Sequence, residues 1–539
     1  MPVLNWIGKE AVVNHDKEVP FRLLKKVKAH SVGKNSQNLI IHGDNLEALK
    51  ALMPYYIGKI KCIYIDPPYN TGNESWVYND KVNSPKIKKW LGKVVGRESE
   101  DLCRHDKWLC MMYPRLKLLK DLLAEDGVIF VSIDDNEHCN LKGIMDEIFG
   151  EDNFRNVIII RRGVKSVQAQ FESIDKLGLG AEYVFVYTKN SSHRFKPFHV
   201  EIEESKPGSW NNHWRGTDRP TMRYELFGIT PEKGQWRWSK KRSYEAIKNY
   251  EKCINGIGKP LKEISQEDID KWYTDNYPDE DFDMLRLSSN KKPEHYIAPT
   301  DSKFASSLWV DLKPNGSSQL KKLFGVKLFD NPKSVDLIKR LIVFAATEKD
   351  SIILDSFAGS GTTGHAVMQL NQDDDGLRKF ILIQIDEELK DHIKVPDGTI
   401  FKDVISITHE RIKRSMKKYE YNGGFEFCEL DKPLFNEEGQ IEQECTFEQL
   451  ATYIYFTETN TNLDTKLIDN YFVGAYNETE FYLLFKEKGK NILNKDFLRK
   501  IKKNDQKKVI YADKCLIDDK ILEKLKIKFK QIPYEVRVY

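Results

Sequence analysis

The sequence contains little cysteine and no long apolar segment. Eight cysteines occur in 539 residues, and none forms a Cys-x-x-Cys pair, which excludes a disulfide-stapled scaffold and a zinc ribbon. No uninterrupted apolar run approaches the roughly 18 residues that a membrane span needs. The charged segment 1–26 lacks the apolar region of a signal peptide. We therefore expect a cytoplasmic protein with no membrane contact and no bound metal.

The chain also has almost no net charge. Its 85 Lys+Arg and 82 Asp+Glu leave a formal charge of +3, so the total charge favours no class of partner. Any signal for nucleic acid must therefore be local. A hydrophobic content of 40% excludes wholesale disorder, and this length predicts roughly three domains.

Apolar segments of strand and helix type alternate along two parts of the chain. The expected strands are 38–41, 61–65, 128–133, 157–160, 183–187, 351–354 and 380–385, and the expected helices follow residue 44 and cover 111–123, 331–346 and the segment up to 370. This alternation predicts an α/β protein with a parallel sheet covered on both faces. The pattern stops after about 189 and resumes near 325. The predicted domains are a split core at 1–190 and 325–420, an insertion at 191–324 and a carboxy-terminal α/β domain at 421–539.

The strongest local motif is Asp66-Pro67-Pro68-Tyr69, directly after a predicted strand. In open α/β sheets, ligands bind at the carboxyl ends of the strands. Asp66 supplies an acceptor carboxylate there, and the two prolines stiffen the turn that presents a main-chain carbonyl. Tyr69 offers a flat face for stacking. The group suits a planar base with an exocyclic amino group, although a strand-ending turn with a surface tyrosine is the plainer interpretation.

A second motif, Asp355-Ser356-Phe357-Ala358-Gly359-Ser360-Gly361-Thr362-Thr363, stands 291 residues later, between a predicted strand and a helix. Gly359 and Gly361 allow a ligand to approach the main chain closely. Together with Gly364 they also satisfy the Gly-x-Gly-x-x-Gly pattern, so a nicotinamide-dependent oxidoreductase remains an alternative. No Gly-Lys-Ser/Thr follows, which excludes a Walker-type phosphate loop.

Asp-Pro-Pro-Tyr paired with Phe-x-Gly-x-Gly resembles the signature of the S-adenosylmethionine-dependent amino-methyltransferases of DNA. The order of the motifs resembles the β class of that family. The flanks Leu4–Glu10 and Phe529–Val536 resemble the modification (Mod) subunits of type III restriction–modification systems. The resemblance implies a Rossmann-like methyltransferase core with an inserted target-recognition domain.

The resemblance implies methyl transfer to adenine N6 at a specific site in double-stranded DNA, within a restriction–modification or related defence system. Asp66 and the Pro67 carbonyl would accept hydrogen bonds from the amino group, Pro68 would shape the loop, and Tyr69 would stack on the flipped-out base. Cytosine-N4 methylation is the alternative within the family. A DNA-specificity subunit without catalysis is an alternative outside it.

The resemblance also assigns S-adenosylmethionine as the cofactor and a set of residues to hold it. Asp355, Phe357, Ala358, Gly359, Gly361 and Thr362 match the loop that binds its methionine part. Asp44 matches the acidic residue near the cofactor adenine, although a helix N-cap explains it equally well. Lys333 lies in an element that departs from the family pattern, because Ser334 replaces a proline. Gln384 stands where relatives have an acidic residue for the ribose hydroxyls, and Asp386 follows two residues later.

The insertion is the expected DNA reader. Residues 151–260 contain 20 Lys+Arg and 13 Asp+Glu, with cations beside aromatics at Arg161-Arg162, Trp214-Arg215 and 236–242, as nucleic-acid surfaces have. A solvated charged surface over a small tryptophan core is the plainer interpretation. Trp76 and residues 79–100 are candidates for a lid. The carboxy-terminal domain is expected to contact a second copy or a restriction/helicase (Res) subunit.

Overall fold

The computed structural model describes residues 3–33, 36–71, 104–163, 177–278, 281–345, 348–421, 423–435, 440–442, 444–486 and 490–532. Trp76, the candidate lid and the last part of the carboxy-terminal resemblance, 533–536, lie outside these residues. The chain divides into two compact units, one formed by 1–196 with 307–539 and the other by 197–306. Within the described residues, no helix is both long and apolar enough to cross a membrane.

The helices alternate with strands in the larger unit, as the sequence predicts. In chain order, the helices of the described residues are α1 Lys9–Val12, α2 His15–Glu18, α3 Asn45–Tyr56, α4 Arg104–Leu122, α5 His138–Phe149, α6 Lys240–Ile257, α7 Gln266–Asn276, α8 Gly316–Phe324, α9 Val335–Phe344, α10 Thr362–Asp374, α11 Val404–Lys418, α12 Phe447–Thr459, α13 Lys495–Leu498 and α14 Asp519–Lys524.

The strands are mostly short. In chain order, those of the described residues are β1 Arg22–Lys26, β2 Leu39–His42, β3 Ile60–Ile65, β4 Leu123–Ile133, β5 Phe154–Arg161, β6 Ala181–Thr188, β7 His199–Lys206, β8 Ser209–Asn212, β9 Trp214–Arg215, β10 Gln235–Trp236, β11 Leu285–Leu287, β12 Pro293–Ile297, β13 Thr300–Phe304, β14 Leu308–Trp309, β15 Ile352–Asp355, β16 Lys379–Gln384, β17 Glu388–Lys394, β18 Ile400–Asp403, β19 Glu426–Pro433, β20 Phe472–Tyr476, β21 Thr479–Leu483, β22 Ile492–Leu493, β23 Lys507–Ala512, β24 Lys514–Cys515 and β25 Ile527–Gln531.

A ten-stranded sheet organises the larger unit, in the order β1-β19-β2-β16-β15-β3-β4-β6-β5-β14. The run from β19 to β4 is parallel throughout, which confirms a Rossmann-like α/β core. The expectation of a wholly parallel sheet is wrong at the edges, because β6 pairs antiparallel with both β4 and β5, and β1 pairs antiparallel with β19. Alternating apolar segments predict strands but not the direction in which the edge strands pair, because antiparallel pairing needs no helical crossover.

Helices cover both faces of this sheet because its central strands are apolar on both sides. Alternate residues such as Ile63 and Ile65 join a large core with α3, α4 and α5. The opposite face is buried as well, since Cys62 and Phe380 are almost inaccessible to solvent. Gly364 in α10 belongs to this second face, where a Cβ atom would lie 2.6 Å from the side chain of Ile412. Close packing of helix on sheet therefore explains the third glycine of the Gly-x-Gly-x-x-Gly pattern.

The domain boundaries differ from those predicted at three places. The insertion forms its own unit only over 197–306 rather than 191–324, because β14 already pairs with β5 of the large sheet. At the other boundary, β19 belongs to the same sheet, although a separate domain was expected from 421. The remaining carboxy-terminal part adds a second sheet in the order β20-β21-β23-β25 and clusters with the larger unit.

Candidate active site

The two motifs meet at one edge of the large sheet. Strands β3 and β15 are parallel neighbours, so Asp66, which follows β3, and Asp355, which ends β15, lie at the same strand ends. A cavity of about 360 Å³ opens there and is lined by 66–69 and by 355 and 357–360. This volume is in the range of small-molecule sites. The sheet therefore joins segments that stand 291 residues apart in sequence.

Four side chains of this cavity form one charged cluster. The Lys333 ammonium lies 3.4 Å from Asp66 Oδ1 and 2.5 Å from Glu182 Oε2, and it donates to Tyr69 Oη at 2.6 Å. The same ammonium lies 4.9 Å from the centre of the Tyr69 ring. Arg162 adds a second cation, 3.5 Å from Glu182. The catalytic motif is thus held by a lysine and a glutamate from distant parts of the chain.

Burial and the neighbouring charges set the protonation of this cluster. Burial raises the pKa of Asp66; Lys333 opposes that rise, and Glu182 adds to it. Burial also acts to raise the pKa of Glu182, but the Lys333 and Arg162 charges outweigh it and the pKa is lowered. For Lys333, burial is outweighed by its two carboxylate partners, and its pKa is raised. The three groups therefore titrate as a coupled set.

Main-chain and side-chain contacts fix the loop that carries the catalytic motif. The Trp108 indole Nε1 donates to the Pro68 carbonyl at 2.7 Å. Asn70 has a left-handed backbone, φ 55°, and its side-chain amide donates to the Arg104 carbonyl at 3.1 Å. It also donates to the fully buried Glu137. Helix α4 and the start of α5 therefore hold the loop from outside the cavity.

The glycine-rich loop is anchored in the same way. The Gly359 amide donates to the side-chain oxygen of Gln384 at 2.7 Å, and the Ala358 amide donates to the Ile383 carbonyl at 3.1 Å. Gly361 has φ +79°, and a Cβ atom there would lie 3.2 Å from the Thr408 side chain. The backbone at Gly361 therefore requires glycine.

Asp355 is a buried carboxyl with two hydrogen-bond donors, and among the described residues it forms no ion pair. The Phe357 amide donates to Oδ1 at 3.0 Å and the Thr363 hydroxyl donates to Oδ2. Burial nevertheless raises its pKa to about 7. Since the folded state holds this proton more tightly than the unfolded state, Asp355 contributes full stability only below about pH 4 and loses it as the pH rises through 7.

We expect Asp355→Asn to stabilise the protein at pH 8 and to have no effect below about pH 4. The amide keeps the acceptor for Phe357 and donates to Thr363, but it removes the unfavourable ionisation. The free energy of unfolding should rise by roughly 2–4 kcal/mol at pH 8. Denaturant unfolding from pH 4 to pH 8 measures the difference, and a gap independent of pH would contradict the assignment.

Gly361 and three further predicted cofactor residues lie outside the cavity lining. Asp44 caps α3, accepting from the Leu46 amide at 2.8 Å, and pairs with the buried Arg115 at 3.2 Å. Gln384 uses its amide to hold the loop. Asp386 is exposed and follows the end of β16, so the strand does not persist to place it beside Gln384. Direct contact of these three residues with a cofactor stays a prediction.

Two residues that line the cavity, Glu182 and Arg162, were not assigned to this site by the sequence. Glu182 stands at the start of the apolar segment 183–187, where a single acidic residue before a strand was the available signal. Arg162 had been assigned to the DNA reader, but it lies in the larger unit and pairs with Glu182 and Asp134. The pairing of these residues depends on the order of strands β4, β6 and β5, which sequence patterns do not specify.

The structure of the inserted unit shows only some of the predicted cations and aromatics together at the surface. It holds 18 Lys+Arg and 19 Asp+Glu, so the positive excess of 151–260 does not belong to this unit as a whole. Trp236 is 3% exposed within a small core, which agrees with the alternative prediction of a small tryptophan core beneath a charged surface. Arg242 pairs with Asp283 at 2.6 Å while lying over the Trp238 ring. Trp214 remains 42% exposed, and Leu261 and Phe304 of the same unit are exposed as well, so the surface combines apolar side chains with charges of both signs.

The residues around the cavity fit S-adenosylmethionine. Gly359 lines the wall beside the aromatic Phe357, and its lack of a side chain allows close approach to the main chain. Carboxylates at Asp66 and Asp355 suit a ligand that carries an ammonium and a sulfonium charge. A nicotinamide dinucleotide gains no support, since Gly364 serves packing and Asp355 and Tyr69 face the cavity.

Comparison with known proteins gives a consistent family. A model described as DNA methylase, of the N6/N4 methyltransferase type, matches residues 60–395. The chain is 34% identical over 456 residues to the type III restriction–modification enzyme EcoPI Mod subunit of Escherichia phage P1, which covers 77% of this chain and 68% of that protein. The StyLTI Mod subunit of Salmonella typhimurium is 32% identical, covering 78% of this chain and 63% of the relative.

A third relative extends this agreement. The EcoP15I Mod subunit of Escherichia coli is 30% identical over 476 residues, covering 78% of this chain and 70% of that protein. The chain therefore spans about two thirds of the length of these relatives. Because the family model matches more than half of the chain and carries both motifs of the cavity, the chain belongs to the N6/N4 DNA methylase family, which comprises enzymes that use S-adenosylmethionine.

Proposed function

We propose that this protein transfers a methyl group to the N6 atom of a flipped-out adenine at a specific site in double-stranded DNA. The observation that carries the proposal is one cavity lined by 66–69 together with 355, 357–360, 362 and 363. One motif offers acceptors for an amino group, and the other offers a cradle for the methyl donor. Neither set alone gives a reaction, and the sheet brings them together.

The residues around Asp66 have distinct tasks. Its carboxylate and the Pro67 carbonyl accept hydrogen bonds from the two amino hydrogens, which draws the nitrogen lone pair out of conjugation with the ring. Tyr69 stacks on the base. Lys333 favours the ionised form of Asp66, since its charge opposes the effect of burial on the pKa of that carboxyl. Trp108 ties back the Pro68 carbonyl, so the loop presents its acceptors in fixed positions.

S-adenosylmethionine, when bound, supplies a methyl group on a positively charged sulfur. The loop 355–362 would hold its methionine part, with Gly359 allowing close approach to the main chain. Its departing thioether is neutral, so this chain needs no general acid in the cavity. Asp66 holds the amino proton that the product loses, or passes it to water.

Base mapping tests this proposal most directly. The purified chain is incubated with unmethylated genomic DNA and labelled S-adenosylmethionine, and the methylated atoms are located by sequencing and nucleoside analysis. We expect N6-methyladenine within one recurring sequence. N4-methylcytosine would select the alternative within the family. Specific DNA binding without any transfer would select a specificity subunit, and tight NADH binding without transfer would select an oxidoreductase.

We also propose a setting for the enzyme. The relatives are named as Mod subunits of type III restriction–modification enzymes, which supports a cytoplasmic modification enzyme within such a system. We propose that it works as a homodimer on double-stranded DNA and that it joins a Res subunit through its carboxy-terminal part. Light scattering of the purified chain, with and without DNA, tests the dimer.

Opposite shifts of the activity profile with pH are expected for two variants of the charged cluster. Activity requires ionised Asp66 and therefore falls as the pH drops through its pKa. Lys333→Gln removes the charge that lowers this pKa, so the acidic limb should move to higher pH. Glu182→Gln removes a charge that raises it, so the limb should move to lower pH. The measurement is kcat/KM for DNA from pH 5 to pH 9.

A matched control separates this effect from loss of charge in general. Lys61→Gln removes a lysine from β3, the strand that precedes Asp66. Lys61 pairs with the exposed Asp126, so this variant should leave the acidic limb of the pH profile in place. Shifts of the same sign in Lys333→Gln and Glu182→Gln would show that Asp66 does not govern the acidic limb.

A further inference from the structure

Arg411 lies fully buried in α11, beneath the glycine-rich loop. Its Nη1 donates to Ser360 Oγ and to Thr362 Oγ1, each at 2.8 Å. Its Nε donates to His365 Nδ1 at 3.3 Å. Ser360 and Thr362 both line the catalytic cavity, so one layer of side chains separates the guanidinium from the ligand space.

Within the described residues, no acidic side chain forms an ion pair with Arg411. Its Nη2 atom is buried and has no hydrogen-bond partner. Burial lowers the pKa of Arg411 to about 9, and the nearby Tyr419 hydroxyl opposes this only weakly. Burying a cation without an anion costs several kcal/mol. Among the residues that the structure describes, this buried charge therefore has no anionic partner.

The position of Arg411 adds a second unfavourable contribution to the free energy of folding. The guanidinium lies at the amino end of α10, which begins at Thr362, and this end of a helix carries partial positive charge. Support of the loop does not require a cation, because Thr408 of the same helix holds the Gly359 carbonyl with a neutral hydroxyl. An anion bound above the loop would stabilise both the Arg411 charge and the partial positive charge at the amino end of α10.

We propose that Arg411 is a positioning residue that fixes the carboxylate of the methionine part of the cofactor against the glycine-rich loop. It acts through Ser360 and Thr362 and through its field in a dry site, where a charge has more effect than in water. The inference rests on the proposed use of S-adenosylmethionine at this cavity. It adds a residue that lies after the end of the family match at 395.

Two ligands that differ by the carboxylate alone test this role. Calorimetry on the full chain measures the affinities for S-adenosylmethionine and for decarboxylated S-adenosylmethionine, in wild type and in Arg411→Met. We expect Arg411→Met to bind S-adenosylmethionine about tenfold more weakly and to bind the decarboxylated ligand unchanged within about twofold. Arg411→Lys keeps the charge and should retain most of the wild-type preference for the carboxylate.

Control variants keep the outcome decisive. Thr408→Val removes a neutral support of the same loop and should change both affinities by the same factor. Methionine replaces an unpaired buried charge, a change that is often neutral for folding, and Arg411→Gln provides a second neutral variant. Equal weakening of both ligands in Arg411→Met would overturn the inference and leave a structural role. Failure of the wild type to bind either ligand would overturn the proposed function as well.

Discussion

Asp66→Asn is expected to lower the rate of methyl transfer by about 10³-fold while leaving the affinity for S-adenosylmethionine nearly unchanged. Asparagine has the same size but presents an amide donor on one side, where the reacting amino group needs an acceptor. The substitution also removes the negative charge that stabilises the amino nitrogen of the base as that nitrogen becomes positive. Loss of one such electrostatic contact in a closed site typically costs about 10²–10³ in rate.

The measurement is single-turnover transfer of a labelled methyl group to a DNA duplex. Because burial raises the pKa of Asp66, the neutral amide should not destabilise the fold, and thermal unfolding checks this. Asp126→Asn is the matched control, since the Asp126 side chain is 63% exposed and pairs with Lys61 of β3, the strand that precedes Asp66. Activity of Asp66→Asn within tenfold of wild type would show that Asp66 does not act on the amino group.

Gly316→Ala is expected to damage both the stability and the active site. A Cβ atom at the start of α8 would lie 2.0 Å from the Pro332 carbonyl oxygen and 2.6 Å from that of Lys333. These are main-chain atoms and cannot rotate away. We expect the free energy of unfolding to fall by about 3 kcal/mol, and transfer to fall by about 10²-fold because Lys333 and its partners are displaced.

Gly58→Ala provides the contrast. Gly58 has φ +66° and no atom within 4 Å of an added Cβ, so its alanine variant carries only backbone strain of about 1 kcal/mol. The rate of methyl transfer by Gly58→Ala should equal that of the wild type. Denaturant unfolding and single-turnover transfer are measured on both variants, and equal effects at the two positions would show that the contact with 332–333 is unimportant.

The sequence was sufficient to predict the parts of the site that depend on local order. Asp66 and Asp355 each follow an apolar segment, and strand ends in an α/β sheet lie where ligands bind. The central strands were also predictable, since continuous apolar segments mark strands buried on both faces. The direction of the edge strands was not predictable, because an apolar segment does not specify whether it pairs parallel or antiparallel with its neighbour.

The residues that support the motifs could not be predicted for the same reason. Glu182, Trp108 and Arg411 support the motifs through contacts with residues 40 or more positions away, and no spacing rule connects such pairs. Arg162 illustrates the opposite error, since its position beside another arginine suggested a DNA contact. Its carboxylate partners appear only when β5 and β6 lie side by side.

The order of the strands also has a consequence for synthesis of the protein. Strand β2 lies between β16 and β19, so a ribosome must add nearly four hundred residues after β2 before both neighbours exist. At typical elongation rates this takes about 20–80 s. Throughout that time a short apolar strand has open edges, which invite pairing with other chains. Nascent chains released early should therefore aggregate, and chaperones that cover such edges should raise the yield of the folded enzyme.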